Sequence, residues 1–192
     1  MSSHHATEGY PEKYLVRPIR AEEWPAVRGL RLDALRDPVA HLAFLETYDQ
    51  ALAKPDSFWR ERAEGAAEGA YGARQFIAES PDGEWAGTVT VLLEEGGSTD
   101  WAGFDIERTQ GHVVGVFVRP EHRGSGLIGA LFDAAVAWSW EAGAERVRLI
   151  VHEDNARAQA AYRRLGFRPS GVVVPLVEGS DDEELEFVLE RD

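Results

Sequence analysis

The amino-acid sequence predicts a mixed α/β fold, and three observations carry that prediction. Val113-Val114-Gly115-Val116-Phe117-Val118 is a short, apolar, β-branched run; two glycines and a strongly periodic segment follow it, which is a strand, a loop and a helix. Two further strand-like runs, 74–79 and 85–93, are joined by Pro81-Asp82-Gly83. Proline presets φ and glycine accepts a positive φ, so the two runs form an antiparallel hairpin. The order along the chain is strand, helices, three strands, helix, strand, helix, two strands, which is that of a mixed sheet.

Each element has its own signal. Residues 14–20 alternate as a first strand, with Leu15, Val16 and Ile19 apolar. A helix follows: Glu22 and Glu23 put acid at its start, Pro25 sits in the first turn, and Val27, Leu30, Ala34 and Leu35 keep helical spacing until Asp37-Pro38 stops it. Residues 39–70 predict two more helical pieces, with Leu42, Leu45, Tyr48 and Leu52 on one stripe and Phe58-Trp59 beginning another. Such aromatics line a cleft or, more commonly, pack a core. Residues 94–110 lose periodicity and hold Gly96-Gly97, Trp101 and several acids, so they are a long loop, either a lid or plain disorder.

The helix after the glycines carries Leu127, Leu131, Ala134, Ala135 and Trp138 at helical spacing and runs to about Glu141, with Gly143 as its breaker. Residues 146–151 are the next strand. Asp154 or Asn155 caps another helix, whose stripe is Ala158, Ala161, Tyr162 and Leu165 and whose end is Gly166, with Phe167 folding back on Tyr162. Residues 172–176 and 185–189 are a final antiparallel pair around the acidic turn 178–184.

At 192 residues the chain suits one domain, expected over 13–192, with residues 1–12 a disordered lead-in. A hydrophobic content of 44% with no apolar run near 18 residues excludes a membrane partner. The absence of cysteine rules out disulfides, thiolate metal sites and an acyl-cysteine intermediate, and it makes a cytoplasmic location the simplest expectation. A net charge of −14 repels phosphate backbones, so no nucleic acid is expected as partner. It favours a cationic substrate, or serves only to solvate the surface.

Gly124 and Gly126 flank Ser125 at the mouth of a helix, where backbone approaches closely and first-turn N–H groups are free, a setting that suits phosphate. A tight βα turn without a ligand would look the same. Gly124-Ser125-Gly126-Leu127-Ile128-Gly129 also satisfies GxGxxG, so an NAD-binding Rossmann fold has to be weighed. Three features oppose it: residues 119–123 separate the strand from the first glycine, only 66 residues follow Gly126, and the upstream hairpin belongs to no doubly wound sheet.

The words Val118-Arg119-Pro120-Glu121-His122-Arg123-Gly124-Ser125-Gly126-Leu127, then Asn155-Ala156-Arg157-Ala158, then Tyr162-Arg163-Arg164-Leu165-Gly166-Phe167, together resemble the GCN5-related N-acetyltransferases (GNAT). The likeness is specific over 113–167 and looser from residue 14 onward. It implies a mostly antiparallel sheet with a splayed central parallel pair, 113–118 and 146–151, flanked by helices. It also implies acetyl-CoA as co-substrate, without a metal, its pyrophosphate at the Arg123, Gly124, Ser125, Gly126, Leu127, Ile128 and Gly129 loop and its pantetheine between the two strands, beside Val118, Asn155 and Ala158. Two positions depart from the family pattern: Glu121 stands where Arg or Gln is usual, and Ile128 where a further glycine is frequent. Backbone N–H groups do most of the phosphate binding, and Arg123 is the alternative source of charge.

The chemistry implied is direct acetyl transfer to a primary amine of a small molecule or peptide through a tetrahedral intermediate. Main-chain N–H groups of Val116 and Phe117 would polarise the thioester. Tyr162 matches the family's general acid, or is only the contact for Phe167; Asn155 matches a pantetheine contact, or is only a helix cap. His112 matches a position where some members carry a base, with Glu94, Glu95, Asp105 and Glu107 as rivals through water and His152 behind them. A non-catalytic acyl-CoA-binding module is the alternative function. Homodimers are common in the family, and no residue here selects or excludes one.

Overall fold

The structure, a computed structural model, describes residues 14–100, 102–175 and 183–192. The expected lead-in, Trp101, Leu176 and most of the acidic turn lie outside them. Seven strands form one sheet in the order β1-β2-β3-β4-β5-β7-β6: β1 Leu15–Pro18, β2 Ala73–Glu79, β3 Trp85–Glu94, β4 Gln110–Val118, β5 Arg146–His152, β6 Arg168–Pro175 and β7 Glu183–Glu190. Every neighbouring pair is antiparallel except β4 and β5. This is a mixed, mostly antiparallel sheet with one parallel pair, and a doubly wound dinucleotide-binding sheet is ruled out.

Among the described residues six α-helices flank it: α1 Trp24–Leu35, α2 Ala40–Ala43, α3 Tyr48–Leu52, α4 Asp56–Ala66, α5 Leu127–Glu141 and α6 Ala156–Arg164. On one face α5 lays Leu127, Leu131, Phe132 and Ala135 over Val89, Val91, Val113, Val147 and Leu149. On the other face α1 and α4 bury Val27, Leu30, Ala34 and Ala63 against Ile19, Ile77 and Phe117. Alternate residues of a strand point to opposite faces, so β4 contributes to both layers.

The segment between α1 and β2 departs from the two helical pieces expected. It forms three, and the predicted stripe does not exist as a face: Leu45 and Leu52 are 61% and 45% exposed, whereas Ala51 and Trp59 are fully buried. Thr47 decides this locally. Its hydroxyl accepts from Gln50 N at 3.2 Å while Gln50 Oε1 accepts from Thr47 N at 2.9 Å, a capping box that starts a new helix in the middle of the supposed stripe. Arg31 then ties the segment down through Glu46 at 3.0 Å, and Glu46 also binds Lys54.

The 95–109 connection is an anchored hairpin tip. Gly97 N donates to Ile106 O at 2.7 Å, Ile106 N to Ser98 O at 2.8 Å and Asp100 N to Phe104 O at 2.9 Å. Ile106 is buried beneath it. β7 lies between β5 and β6, so the last hairpin joins the sheet by its second strand.

Gly111 is where α5 and β4 come closest. A Cβ there would sit 2.5 Å from Ser139 Oγ and 3.2 Å from Val91 Cγ2. Ser139 is fully buried and donates to Ala135 O at 2.8 Å, so it has no room to yield. Gly111→Ala is expected to lose about 1–3 kcal/mol in urea titration, and Ser139→Gly in the same chain to recover much of it. Recovery of nothing would show that the crowding lies elsewhere.

Candidate active site

The site begins where two strands part. β4 and β5 pair only from Gln110–Arg146 to Val113–Leu149, although β4 runs on to Val118 and β5 to His152. Beyond Val113 a cleft of about 520 Å³ opens between them, floored by Val116, Phe117 and Val118 and walled by the α5 mouth and by α6. A β-bulge prepares this stretch of β4. Thr88 lies opposite Phe117 but Thr90 opposite Val114, so β4 holds one extra residue, and Gly115 takes it up with φ 63°.

The register sets which amides face the cleft. Arg119 N donates to Ala86 O at 2.8 Å, so Arg119 and Phe117 turn their N–H groups to β3, while those of Val116 and Val118 face the open edge. Of the two amides expected to polarise a thioester, that of Val116 faces the open edge and that of Phe117 faces β3; the Val118 N–H shares the open edge.

At the mouth, Gly124 and Gly126 have φ 77° and 74°, which only glycine adopts without strain. The amides of Gly124, Ser125 and Gly126 make no hydrogen bond within the described main chain, and the first-turn amides of α5 stand beside them. Ser125 turns its hydroxyl inward to His122 O at 2.6 Å, so its backbone is what remains for a ligand. Arg123 is occupied as well: Nε donates to Val118 O at 3.0 Å, and its guanidinium holds Asp37 at 2.6 Å. Burial pushes the Asp37 carboxyl up, but Arg123 and the Val39 amide outweigh it and hold the group below its usual range. The charge expected from Arg123 is therefore largely neutralised in place.

Two arginines that the sequence reading left unassigned supply positive charge instead. Arg157 and Arg164 on α6 line the cleft together with Ala158, Ala161, Tyr162 and Leu165. The spacing from 157 to 161 to 164 lies on one helical face and was legible as such. Asp37, Val39, Ala40, Ala43 and Phe44 form the opposite rim, which no motif announced. Glu121 does not line the cleft. Its carboxylate comes within 4.8 Å of Glu84 and His122 in a largely exposed group.

Tyr162 serves two purposes at once. Its carbonyl accepts from Phe167 N at 3.0 Å and, with Gly166 N donating to Arg163 O at 3.0 Å, closes α6 in a Schellman end. Its ring meets Phe132 at 5.6 Å, and the side chain lines the cleft. Burial pushes the phenol up to about 12, so it stays protonated at any ordinary pH. Asn155 likewise caps α6, accepting from Ala158 N at 3.2 Å, while it too borders the cleft.

His112 lies on the sheet face away from α5 and is not part of the cleft lining. Its Nδ1 stands 3.2 Å from Glu94 Oε2. Glu94 also receives Arg148 Nε at 2.9 Å, and Arg148 reaches Asp100 at 3.0 Å and Glu186 at 3.1 Å. His112 and Arg148 outweigh burial and hold the Glu94 carboxyl at about 2. An ionised carboxylate accepts only, so Nδ1 of His112 donates; in the neutral ring Nε2 is then the acceptor. Glu95 is turned to the Tyr71 hydroxyl at 2.7 Å, and Asp105 and Glu107 belong to the hairpin tip, also outside the cleft. His152 accepts from Asp154 N at 3.0 Å. Beside it Glu184 is raised by burial, with His152 and His112 pulling the other way.

The structure therefore brings together Val116, Phe117, Val118, Arg123, Gly124, Gly126, Leu127, Ile128, Gly129, Asn155, Ala158 and Tyr162 around one cleft, and leaves Ser125 and His112 out of its lining. A family model described as "Acetyltransferase (GNAT) family" matches residues 24–167. The chain is 32% identical over 158 residues to an aminoglycoside N(6')-acetyltransferase type 1 of Stenotrophomonas maltophilia, covering 82% of this chain and 86% of that one. A GNAT acetyltransferase structure from Streptococcus pneumoniae superposes with TM-score 0.73 at 14% identity, covering 93% of this chain and 99% of that one. An acetyltransferase from Salmonella typhimurium, solved with its cofactor acetyl-CoA, superposes with TM-score 0.65 at 19% identity over 94% and 95%.

The Glu94 carboxyl gives a pH test. Its folded pKa is depressed, so its contribution to stability is complete above the ordinary value of about 4.3 and is lost as pH falls toward about 2. Glu94→Gln should be less stable at pH 7 and should lose stability less steeply through that window, measured as melting temperature by circular dichroism. Parallel curves for the two proteins would remove Glu94 from the network.

Proposed function

The chain belongs to the GNAT family of acetyltransferases, and on that premise we propose that it transfers the acetyl group of acetyl-CoA directly to a primary amine of a small cationic molecule or peptide. The observation that carries this reading is the continuity of one cleft from the free amides of the glycine mouth, along the unpaired edge of β4, to Tyr162. The residues present fit the cofactor. Unpartnered amides at Gly124, Ser125 and Gly126 and the start of α5 suit a pyrophosphate, and Arg157 and Arg164 add charge.

Acetyl-CoA would supply the activated acetyl group as a thioester. The N–H of Val116 would hold the carbonyl oxygen as negative charge develops on it, an arrangement worth about 3–4 kcal/mol where it has been removed in other enzymes. Val118 and Asn155 would hold the chain behind it. Tyr162 keeps a proton at its hydroxyl for the departing sulfur. With the phenol near 12 and a thiol near 8.5, full transfer to the thiolate is uphill, so the hydroxyl would donate a hydrogen bond to the sulfur as its bond to carbon breaks, and the proton given up by the amine balances the one the thiol finally gains. His112, oriented by Glu94, is the proposed base, reached through water at Nε2.

The aminoglycoside-modifying relative and the acidic surface both support a cationic acceptor. Family membership and Tyr162 favour the enzyme over a binding module without turnover. Among the described residues no helix is long and apolar enough to cross a membrane, and we place the enzyme in the cytoplasm as part of the same proposal.

Three outcomes are expected. Calorimetry should give a micromolar site for acetyl-CoA, on the order of −8 kcal/mol, abolished in Gly126→Glu with circular dichroism unchanged; a wild-type protein that binds no acyl-CoA would overturn the proposal. Tyr162→Phe should lower kcat about 100- to 10,000-fold while acetyl-CoA affinity stays within a few-fold. The wild-type rate should show no alkaline loss attributable to this phenol below about pH 12.

A further inference from the structure

A second, inner cavity of about 20 Å³ lies between α1, α4 and the sheet, against the β4 bulge. Arg31, Arg62, Gln75, Thr88, Thr90 and Gly115 line it, and its Phe44 and Phe117 walls are shared with the cleft. The acceptor has to approach the carbonyl from outside the cofactor channel, and this cavity adjoins the bulge that shapes it. It has room for one or two water-sized groups.

Its polar groups are unequally satisfied. Arg31 is engaged with Glu46 at 3.0 Å and stacked on Phe44 at 4.5 Å. The Thr88 hydroxyl accepts from Gln75 Nε2 at 3.0 Å and donates to Phe76 O at 2.9 Å. Arg62 has neither an ion pair nor a hydrogen bond among the described residues; the ring of Trp59, 5.7 Å away, is the aromatic face it meets. The Thr90 hydroxyl is also without a partner there. Burial and the charge of Arg31 both lower the Arg62 pKa, with Glu46 opposing them, as expected for a cation with no counterion in contact. A half-buried guanidinium facing a polar cavity is costly unless something fills the place of its anion.

We propose that Arg62, with the Thr90 hydroxyl, binds a carboxylate of the acceptor, so that the amine acetylated belongs to an amino acid or short peptide that also carries a free acid. This rests on the acetyltransferase reading above and narrows it: the amine would be the cationic part of an amphoteric molecule.

The test uses product analogues and needs no turnover. The protein is saturated with coenzyme A and titrated calorimetrically with N-acetylglycine, N-acetyl-β-alanine and N-acetyl-γ-aminobutyrate, each against its carboxamide. For at least one pair the acid should bind about 10- to 100-fold more tightly than the amide, the range of a hydrogen bond to a charged group. Arg62→Gln should abolish that preference, and Arg62→Lys should keep part of it. The amide should bind all three proteins alike. Equal binding of acid and amide, a preference that survives Arg62→Gln, or no binding of any pair overturns the proposal. A chloride titration separates a free anion from an acceptor: if chloride raises the melting temperature through Arg62 and the acids do not compete with it, the site holds an inorganic ion and the proposal fails. Failure of the acetyltransferase reading is seen earlier and separately, as absence of coenzyme A binding.

Discussion

The constraint on which the rest of the structure depends is that β4 cannot pair with β5 along its whole length. One extra residue on β4 between Val114 and Phe117, opposite Thr90 and Thr88 and absorbed by Gly115 at φ 63°, shifts the strand by one step. Because strand side chains alternate with period two, the shift sends Val113 to the α5 layer and Phe117 to the α1 layer, and it frees one edge of the backbone. A free edge in the middle of a sheet is otherwise an unsatisfied row of amides and carbonyls. Here it becomes the floor of a cleft, and the glycine mouth of α5 opens at its end.

The two sides of the sheet are stabilised differently. Under α5 the packing is apolar and close, down to the missing Cβ of Gly111. Across β4, β5 and β7 the opposite face is held by charge: Arg148 gathers Glu94, Asp100 and Glu186 within 3.1 Å and brings the 95–109 tip down onto the sheet. A buried network of this kind contributes little net stability over an apolar core but is costly to break, since a lost partner leaves a charge without compensation. It keeps the His112–Glu94 pair in one orientation.

The rim formed by Asp37, Val39, α2 and Phe44 joins these parts. Arg123 reaches across to Asp37, and Arg31 to Glu46, so the segment that walls the cleft is tied both to the glycine loop and to α1. The same ties consume the charge that each arginine would otherwise offer a ligand. Among the described residues Arg157, Arg164 and Arg62 have no ion-pair partner in contact and keep theirs.

Sequence alone determined what local rules control. The hairpin at Gly83, the helix from Gly126 to Glu141, the Schellman end at Gly166 and the motif around Gly124 and Gly126 were all readable, because a glycine at positive φ or a capping residue acts within a few positions of itself. The family likeness rested on the same short words. The helices between residues 39 and 66 were misread where Thr47 and Gln50 overrode a hydrophobic stripe. What only the tertiary structure decided were the relations between distant residues: which amides of β4 face the cleft, that Arg123 is spent on Asp37, that the 95–109 tip is pinned by Arg148, and that Arg62 is left without an anion. Each depends on strand register or on a partner dozens of positions away. Period and propensity carry no information about such pairings, because both are sums over neighbours along the chain, whereas an ion pair or a sheet register is chosen by the packing of the whole.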